Sequence, residues 1–156
     1  MQNIAPCLWF DSNAEEAAKF YVSVFKNSKI HTVTYYGDGM HRPKGTVLTV
    51  LFTINGQDFM ALNGGPTFAL NEAVSFMVNC DTQAEIDDYW AKLTADGGKE
   101  VQCGWLKDKF GLSWQIVPSS LPKLLGGDQA RTDRVMAEVM KMVKLDIATM
   151  EKAAAG

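Results

Sequence analysis

The residues DSNAE at positions 11–15 return as DTQAE at positions 81–85, and each copy stands between a predicted strand and a predicted helix. In both copies a Ser or Thr is followed three residues later by Glu, which is the pattern of a capping box at the start of a helix. The same shift of 70 residues places Phe20 on Trp90. The sequence therefore predicts an internal repeat, unless two ordinary strand–helix units resemble each other by coincidence.

The ends of the two repeats match at a shorter offset of 55 residues. This offset places Gly56 on Gly111 and Met60 on Gln115. The second repeat is therefore 15 residues shorter, because it lacks most of the polar loop at 37–45. Both repeats keep the same order of elements, a strand followed by a capped helix and then by further strands.

Short runs rich in β-branched and aromatic residues predict seven strands. Their predicted bounds are 4–10, 29–36, 46–54, 57–62, 73–80, 100–106 and 113–117. Asn55-Gly56 is a strong signal for a tight hairpin between the third and fourth strands, because both residue types tolerate positive φ.

One helix is predicted in each repeat from apolar residues spaced at i, i+3, i+4 and i+7. These residues are Ala17, Phe20, Tyr21 and Val24 in the first repeat, and Ile86, Tyr89, Trp90 and Leu93 in the second. Gly97-Gly98 is expected to end the second helix.

Composition is that of a globular protein, with 156 residues of which 47% are apolar and 21% charged. This length suits one domain, or two small modules around one core. A net charge of −3 argues against a nucleic-acid partner, since such proteins are usually basic. The longest apolar-rich stretch, at 47–54, is too short to cross a bilayer, so no membrane association is expected.

Three cysteines stand at wide spacing, at Cys7, Cys80 and Cys103, and no CxxC pair is present. Scattered thiols in odd number fit a reducing compartment better than a disulfide framework. The N-terminal sequence has no basic start and no apolar run of signal-peptide length. Together these features predict a cytoplasmic protein.

The C-terminal residues 128–155 combine a wide apolar stripe with balanced charges, which predicts one long helix. Such a stripe must be buried against another surface. Either it forms a subunit interface, which would make the protein a homodimer, or it packs back on the sheet of its own chain.

Two β-α-β-β-β repeats in tandem resemble the vicinal oxygen chelate fold of glyoxalase I and the bleomycin-resistance proteins. Four segments resemble the PhnB-like branch, which also carries the name 3-demethylubiquinone-9 3-methyltransferase. These segments are IAPCLWFDSNAEEAAKFY, FMALNGGP, AVSFMVNCDTQAEIDDYW and CGWLKDKFGLSWQIVP. The tail RVMAEVMKMVKLDIATMEKA also resembles the helical end of that group, so the resemblance covers nearly the whole chain. The resemblance implies an α+β fold with modules at 1–66 and 67–120 and a C-terminal helical extension at 121–156, forming one compact domain.

Metal-using members of that superfamily take ligands from the first and last strands of each module. The resemblance places these positions at Cys7, Met60, Ser75 and Gln115, with Gln115 standing where a Glu is usual. Thiol, thioether, hydroxyl and amide groups make a poor set for a hard divalent ion. We therefore expect no metal and no cofactor, and no GxGxG turn for a nucleotide cofactor is present.

Alternation along the first strand of each module predicts that Cys7 and Trp9, and by the same parity Ser75 and Met77, face away from the helices. Together with Trp105, and with Met60 and Gln115 at the last-strand positions that the resemblance implies, they are expected to line an apolar cavity with a few polar points. The alternative is that the same side chains only fill the inner face of the sheets.

Several other residues have a functional and a structural interpretation. His31 and His41 lack a matched partner and are expected to be solvated or structural. Cys103 is either a reactive thiol or an inert buried one. Asn63-Gly64-Gly65-Pro66 either binds a ligand through backbone amides or is a plain turn, and Asp108 is expected to be a turn residue.

Three functions follow from these features. The first is metal-independent binding of a small, partly aromatic molecule. The second is an enzyme of the same superfamily, either a divergent lyase or dioxygenase or the methyltransferase of the family name. The third is an interaction protein that uses its C-terminal helix.

Overall fold

The computed structural model describes residues 2–156, which form two compact units with a boundary between Leu70 and Asn71. Each unit contains one four-stranded sheet, so the predicted α+β class is confirmed. The elements of the first unit are β1 (Cys7–Phe10), α1 (Ala14–Val24), β2 (Lys29–Tyr35), β3 (Val47–Ile54) and β4 (Gln57–Asn63).

The sheet of the first unit has the order β1-β4-β3-β2, with β1 parallel to β4 and the other pairs antiparallel. The predicted hairpin is confirmed, because Asn55 and Gly56 have φ of 46° and 82° and join β3 directly to β4. Helix α1 covers one face of this sheet, where the Tyr21 ring stacks on that of Phe52.

The start of α1 differs from the prediction, because Ser12 does not cap it. The N-cap is Asn13, whose side chain makes no capping hydrogen bond. The first free amide, that of Ala14, instead donates to Oδ1 of Asn63 at 2.9 Å. A polar side chain at the end of β4 therefore replaces the local cap, and the predicted capping box at Ser12 is wrong.

The second unit repeats the β-α-β-β-β order of the first and then adds three helices. Its elements are β5 (Ser75–Cys80), α2 (Gln83–Thr94), β6 (Lys99–Glu100), β7 (Trp105–Lys107), β8 (Ser113–Pro118), α3 (Leu121–Leu125), α4 (Gln129–Val139) and α5 (Ile147–Ala155). The order β5-β8-β7-β6 matches that of the first sheet strand for strand. The predicted duplication is thus confirmed at the level of topology.

Helix α2 begins as predicted. The amide of Glu85 donates to Oγ1 of Thr82 at 3.2 Å, and Oε2 of Glu85 accepts the amide of Asp81 at 2.7 Å. Ile86, Trp90 and Leu93 are buried, so one face of the helix covers the sheet.

The single strand predicted at 100–106 is wrong, because a turn divides it into β6 and β7. Cys103 and Gly104 have φ of 61° and 82°, which interrupts the extended backbone. Their amides donate to the carbonyl groups of Met142 and Val143, both at 2.8 Å. The C-terminal segment therefore fixes this turn through main-chain hydrogen bonds.

The prediction of a single long C-terminal helix is also wrong, because α4 ends at Val139 and α5 begins at Ile147. The helices fold back on the end of the second sheet and share an apolar cluster with it. The buried members of this cluster are Val117, Leu124, Val135, Val139, Leu145 and Met150. The main stripe is thus buried within its own unit, while Met136, Met140 and Val143 remain exposed.

None of the helices in the described part of the chain has the length and apolar character needed to span a bilayer.

Candidate functional site

Each sheet has a face opposite to its helix, which we call the open face. Successive residues of a strand point to opposite faces, so burial identifies the side on which each lies. In β1, Leu8 and Phe10 are buried on the helix side, which leaves Cys7 and Trp9 on the open face. Met60 is the register partner of Cys7 and lies on the same face of β4.

Trp9 is engaged by the chain that leaves β4. Its indole N–H donates to the carbonyl oxygen of Gly65 at 2.8 Å. Its ring meets Phe68 edge to face at 5.0 Å between centroids. The ring also lies so close to Gly64 that an added Cβ there would be 2.3 Å from it. The turn at 63–66 thus has a structural role, because it holds the Trp9 side chain.

Cys7 is exposed, yet the protein around it still withdraws part of the thiol from water. This desolvation raises the pKa of Cys7 above that of a free thiol, because burial disfavours the thiolate. The protonated thiol is a weak metal ligand and a weak nucleophile. Cys7 and Met60 therefore offer a polarizable apolar surface to any molecule at this face.

The second sheet brings three of the sequence-predicted residues into a row. Gln115 on β8 is the register partner of Met77 on β5 and of Trp105 on β7. All three lie on the face opposite to α2, because their neighbours Trp114 and Leu106 are buried on the helix side. Ser113 and Val117, which flank Gln115 on the same face of β8, are buried, so this face is exposed only in part. We call Met77, Gln115 and Trp105 the central row.

A polar pair adjoins the central row. The side-chain amide of Gln115 donates to Oγ of Ser75 at 2.9 Å. This hydrogen bond leaves the Gln115 carbonyl oxygen as an acceptor and the Ser75 hydroxyl hydrogen as a donor. Met77 is 54% exposed, so an apolar side chain stands in solvent beside this pair. The face thus combines apolar surface with two complementary polar groups.

Lys107 also lies on this face, and the sequence reasoning missed it. It follows Trp105 by two residues on β7 and is the register partner of Ser113. Its ammonium group donates to the Glu72 carboxylate at 2.5 Å, and this hydrogen bond lowers the pKa of Glu72. Period-two alternation along β7, counted from Trp105, would have placed Lys107 here.

The donor groups at the positions implied by the superfamily resemblance do not fit a catalytic metal. Cys7 offers a thiol, Met60 only a thioether, and the amide of Gln115 is bonded to Ser75, which is a poor ligand set for a hard divalent ion. In the described residues 2–156, no group of three or more His, Cys, Asp and Glu side chains could hold an ion. No step through a metal is therefore derived.

The glycine pairs do not fit a nucleotide-binding turn. The Trp9 ring covers Gly64, and the backbone of the α2 C-terminus lies against Gly98. A Cβ at Gly127 would lie 3.4 Å from the side chain of Arg131. At least one glycine of each pair therefore packs against its own unit, although Gly97 has open space around it.

The two histidines form separate local contacts. Nε2 of His31 shares a hydrogen bond of 2.5 Å with Oγ1 of Thr53, which also donates to Asp58 at 3.2 Å. His41 bonds the Tyr36 hydroxyl at 3.2 Å. These contacts link neighbouring strands and loops of the first unit, as expected for structural residues.

Cys103 and Asp108 also have structural surroundings. Cys103 packs against the apolar cluster of the C-terminal helices. Asp108 is only 3% exposed, and its carboxylate accepts the amides of Phe110 and Leu112 and the indole N–H of Trp114. The turn before β8 is thus organised around one buried carboxylate, which agrees with the interpretation of Asp108 as a turn residue.

The duplicated sheets and their open faces define a protein of the vicinal oxygen chelate superfamily. A family model described as 3-demethylubiquinone-9 3-methyltransferase matches residues 2–117, and the chain belongs to this PhnB-like family. The match ends before α3, so the three C-terminal helices lie outside it.

Solved structures agree with this assignment. The PhnB protein of Bacillus cereus, whose name carries the same methyltransferase label, is 36% identical, with a TM-score of 0.68 over 75% of this chain and 99% of that one. Protein PA1353 of Pseudomonas aeruginosa is 20% identical, with a TM-score of 0.62 over 76% of this chain and 98% of that one. No match was found among curated proteins.

A more distant neighbour shares the fold alone. The fosfomycin resistance protein FosX of Listeria monocytogenes is 14% identical, with a TM-score of 0.57 over 81% of this chain and 98% of its own. This similarity places the chain in the glyoxalase and bleomycin-resistance fold and carries no inference about its ligand.

Proposed function

We propose that the protein binds a small, partly aromatic molecule on the open face of the second sheet, without the help of a metal ion. The observation that carries this proposal is the central row, in which Met77 and Trp105 flank Gln115 on three neighbouring strands. Small-molecule sites are mostly apolar and contain a few polar groups that fix orientation. The central row with Ser75 has this composition.

Each residue has a distinct part in the proposed complex. The Trp105 ring stacks on an aromatic ligand, and the Met77 thioether packs against the ligand edge. The Gln115 oxygen accepts a hydrogen bond from a ligand hydroxyl, while the Ser75 hydroxyl donates to a ligand carbonyl. A phenol or a quinone-like carbonyl compound satisfies both groups.

In the first unit, we propose that Cys7, Trp9 and Met60 form the corresponding ligand-facing surface. The Trp9 indole N–H is already bonded to Gly65, so this surface offers apolar contact without a free polar group of that ring. Of the two surfaces, we therefore propose that only that of the second unit has polar groups that fix the orientation of a bound ligand.

A binding screen tests the proposal. Purified protein with excess chelator is titrated calorimetrically with 2-naphthol, menadione and catechol. Saturable binding of at least one of them supports the proposal, and heats without saturation for all three contradict it. The Trp105→Leu variant should bind the same compound more weakly, because it lacks the ring on which the ligand stacks. Tyr35→Leu is its matched control, because Tyr35 is an exposed aromatic residue of the other unit.

Methyl transfer is a second candidate, favoured by the description of the matching family model. Equilibrium dialysis against S-adenosylmethionine tests it, because a methyltransferase of this kind must bind the methyl donor. A divergent lyase or dioxygenase is tested by metal analysis of protein purified without chelator, where a stoichiometric ion would favour that reaction class.

We also propose a cytoplasmic homodimer. Cys7, Cys80 and Cys103 are free thiols, which suits a reducing compartment. Three large apolar side chains of α4 and the turn after it, Met136, Met140 and Val143, are exposed, and a dimer interface would cover them. Sedimentation analysis is expected to give twice the chain mass for the wild type and the single-chain mass for Met140→Lys. A wild-type monomer that binds a different protein through α4 would instead favour the interaction-protein alternative.

A further inference from the structure

A cavity that opens to solvent lies within the C-terminal helical part of the second unit. It has a volume of about 400 Å³ between α3, α4 and α5. Its lining includes Ser120, Lys123, Leu124, Arg131, Glu151 and Ala154. The α3–α5 segment lies outside the residues that match the family model, and none of the lining residues belongs to the central row.

Arg131 is the unusual member of this lining. Its Nε is buried and has no hydrogen-bond partner within the described chain. Leaving a buried donor of a charged group unpaired is costly, so such a group normally has a partner. The side chain passes close to Gly127, where an added Cβ would lie 3.4 Å from its Cδ. A guanidinium carries parallel N–H groups that match an oxyanion.

The charges around the cavity favour an anion. Arg131 and Lys123 contribute two positive charges, and Glu151 contributes one negative charge. Among the ion pairs formed by residues 2–156, none includes either cation. The side chain of Ser120 precedes α3 without capping it, so a hydroxyl donor is also present.

The lining also has apolar members. Leu124 is buried, and Ala154 contributes a methyl group from α5. A bare inorganic ion would use only the polar members of this lining. An organic anion with a short apolar body would use both kinds.

We propose that this cavity binds a small organic oxyanion, a carboxylate or a phosphate ester. Its charged group binds Arg131 and Lys123, and its apolar body packs against Leu124 and Ala154. The site is separate from the proposed aromatic-binding face, so it can exist whether or not that proposal holds.

Calorimetric titration with phenyl phosphate and with benzoate tests this site at constant ionic strength. Saturable binding of either compound is expected, and the tighter of the two identifies the charged group. The Nε–H resonance of Arg131 in the ¹⁵N–¹H spectrum should shift in proportion to occupancy, because an anion bound to the guanidinium changes the surroundings of this N–H. Absence of saturable binding for both compounds would overturn the proposal.

Variants of the lining give the second arm of the test. Arg131→Gln and Lys123→Gln are each expected to weaken binding roughly tenfold or more, because each removes a charge-assisted hydrogen bond. Lys123 is exposed, so its variant keeps the fold even if Arg131→Gln does not. Glu151→Gln should tighten binding, because it removes the one carboxylate of the lining.

Lys44→Gln is the matched charge control, since Lys44 is an exposed cation paired with Asp38 in the first unit. It should leave binding unchanged. If Arg131→Gln and Lys123→Gln bind as tightly as this control, the site assignment is wrong.

Discussion

Gln115 donates a hydrogen bond of 2.9 Å from its side-chain amide to the hydroxyl of Ser75, which joins the open face of β8 to that of β5. By the resemblance, a metal-using relative would have a carboxylate at position 115. Here an amide and a hydroxyl satisfy each other and still leave one acceptor and one donor. The pair therefore offers hydrogen-bonding groups at a position where such a relative would offer a carboxylate ligand for an ion.

Thr82 and Ser12 should differ in their contribution to stability, although their sequence contexts look alike. Thr82→Ala is expected to lower the free energy of unfolding by about 1 kcal/mol, because it removes an N-cap hydrogen bond. Ser12→Ala should change it by less than about 0.5 kcal/mol, because Ser12 caps nothing. Urea denaturation followed by far-UV circular dichroism measures both. Equal effects would contradict the assignment of the caps.

Gly64 is required by the Trp9 ring. A Cβ at this position would lie 2.3 Å from ring carbon Cζ2, so Gly64→Ala should lower the free energy of unfolding by roughly 1–3 kcal/mol. Gly37→Ala is the control, because a Cβ there would meet only Sδ of Met40 at 4.0 Å. Thermal denaturation of the two variants should separate them, and a fully stable Gly64→Ala would show that Trp9 is free to move.

Asp108 should be among the most sensitive polar positions of the second unit. Asp108→Ala leaves the Trp114 indole N–H and two backbone amides without their acceptor, so a loss of about 3 kcal/mol or more is expected. Asp108→Asn keeps one oxygen and should fall between Ala and wild type. Asp38→Ala, which breaks an exposed ion pair, should cost less than about 1 kcal/mol in the same urea titration. A small effect at Asp108 would contradict its buried role.

The thiols should react with iodoacetamide in an order set by their surroundings. Burial, followed by the charges of Glu85 and Asp81, raises the pKa of Cys80 to about 12. A raised pKa means that less thiolate is present at a given pH, so Cys80 should remain unmodified at pH 8 and react only after unfolding. Cys7, whose pKa is raised by partial desolvation, should react more slowly than the same thiol in urea. Peptide mass mapping over time reports each site.

Rapid labelling of Cys80 in the folded protein would contradict its buried position. The urea-unfolded protein is the internal control, because every thiol there is exposed to the same reagent.

Local signals predicted the repeat well because they depend on neighbouring residues. Asn55-Gly56 needs only its own backbone freedom to form a hairpin, and Thr82 needs only the amide three residues later. The α1 start could not be predicted in this way, since its acceptor, Asn63, is 49 residues from Ala14. The prediction of a cap at Ser12 thus failed because a long-range hydrogen bond from Ala14 to Asn63 replaces the local one.

The C-terminal error has a similar origin. Helical periodicity continues through 140–146, but the carbonyl groups of Met142 and Val143 pair with the turn that begins at Cys103. This pairing requires the chain to leave the helix, and no sequence pattern near Met142 indicates it. The same contact divides the predicted strand at 100–106, so one tertiary interaction accounts for both errors.

The surroundings of the candidate residues could be predicted more completely in the second unit than in the first. Strand alternation placed Met77 and the family resemblance singled out Gln115, and the structure brings both onto one face with Trp105. It could not reveal that Trp9 is held by Gly65, because that contact depends on the path of the chain after β4. A period-two pattern indicates the face of a residue and not what covers it.

Calorimetric titration of chelator-treated protein with 2-naphthol, for the wild type and for Trp105→Leu, tests the central claim most directly. The account predicts saturable binding by the wild type without metal, weakened roughly tenfold in Trp105→Leu and unchanged in Tyr35→Leu. Binding that appears only when a divalent ion is added, or that is equally strong in Trp105→Leu, would contradict it.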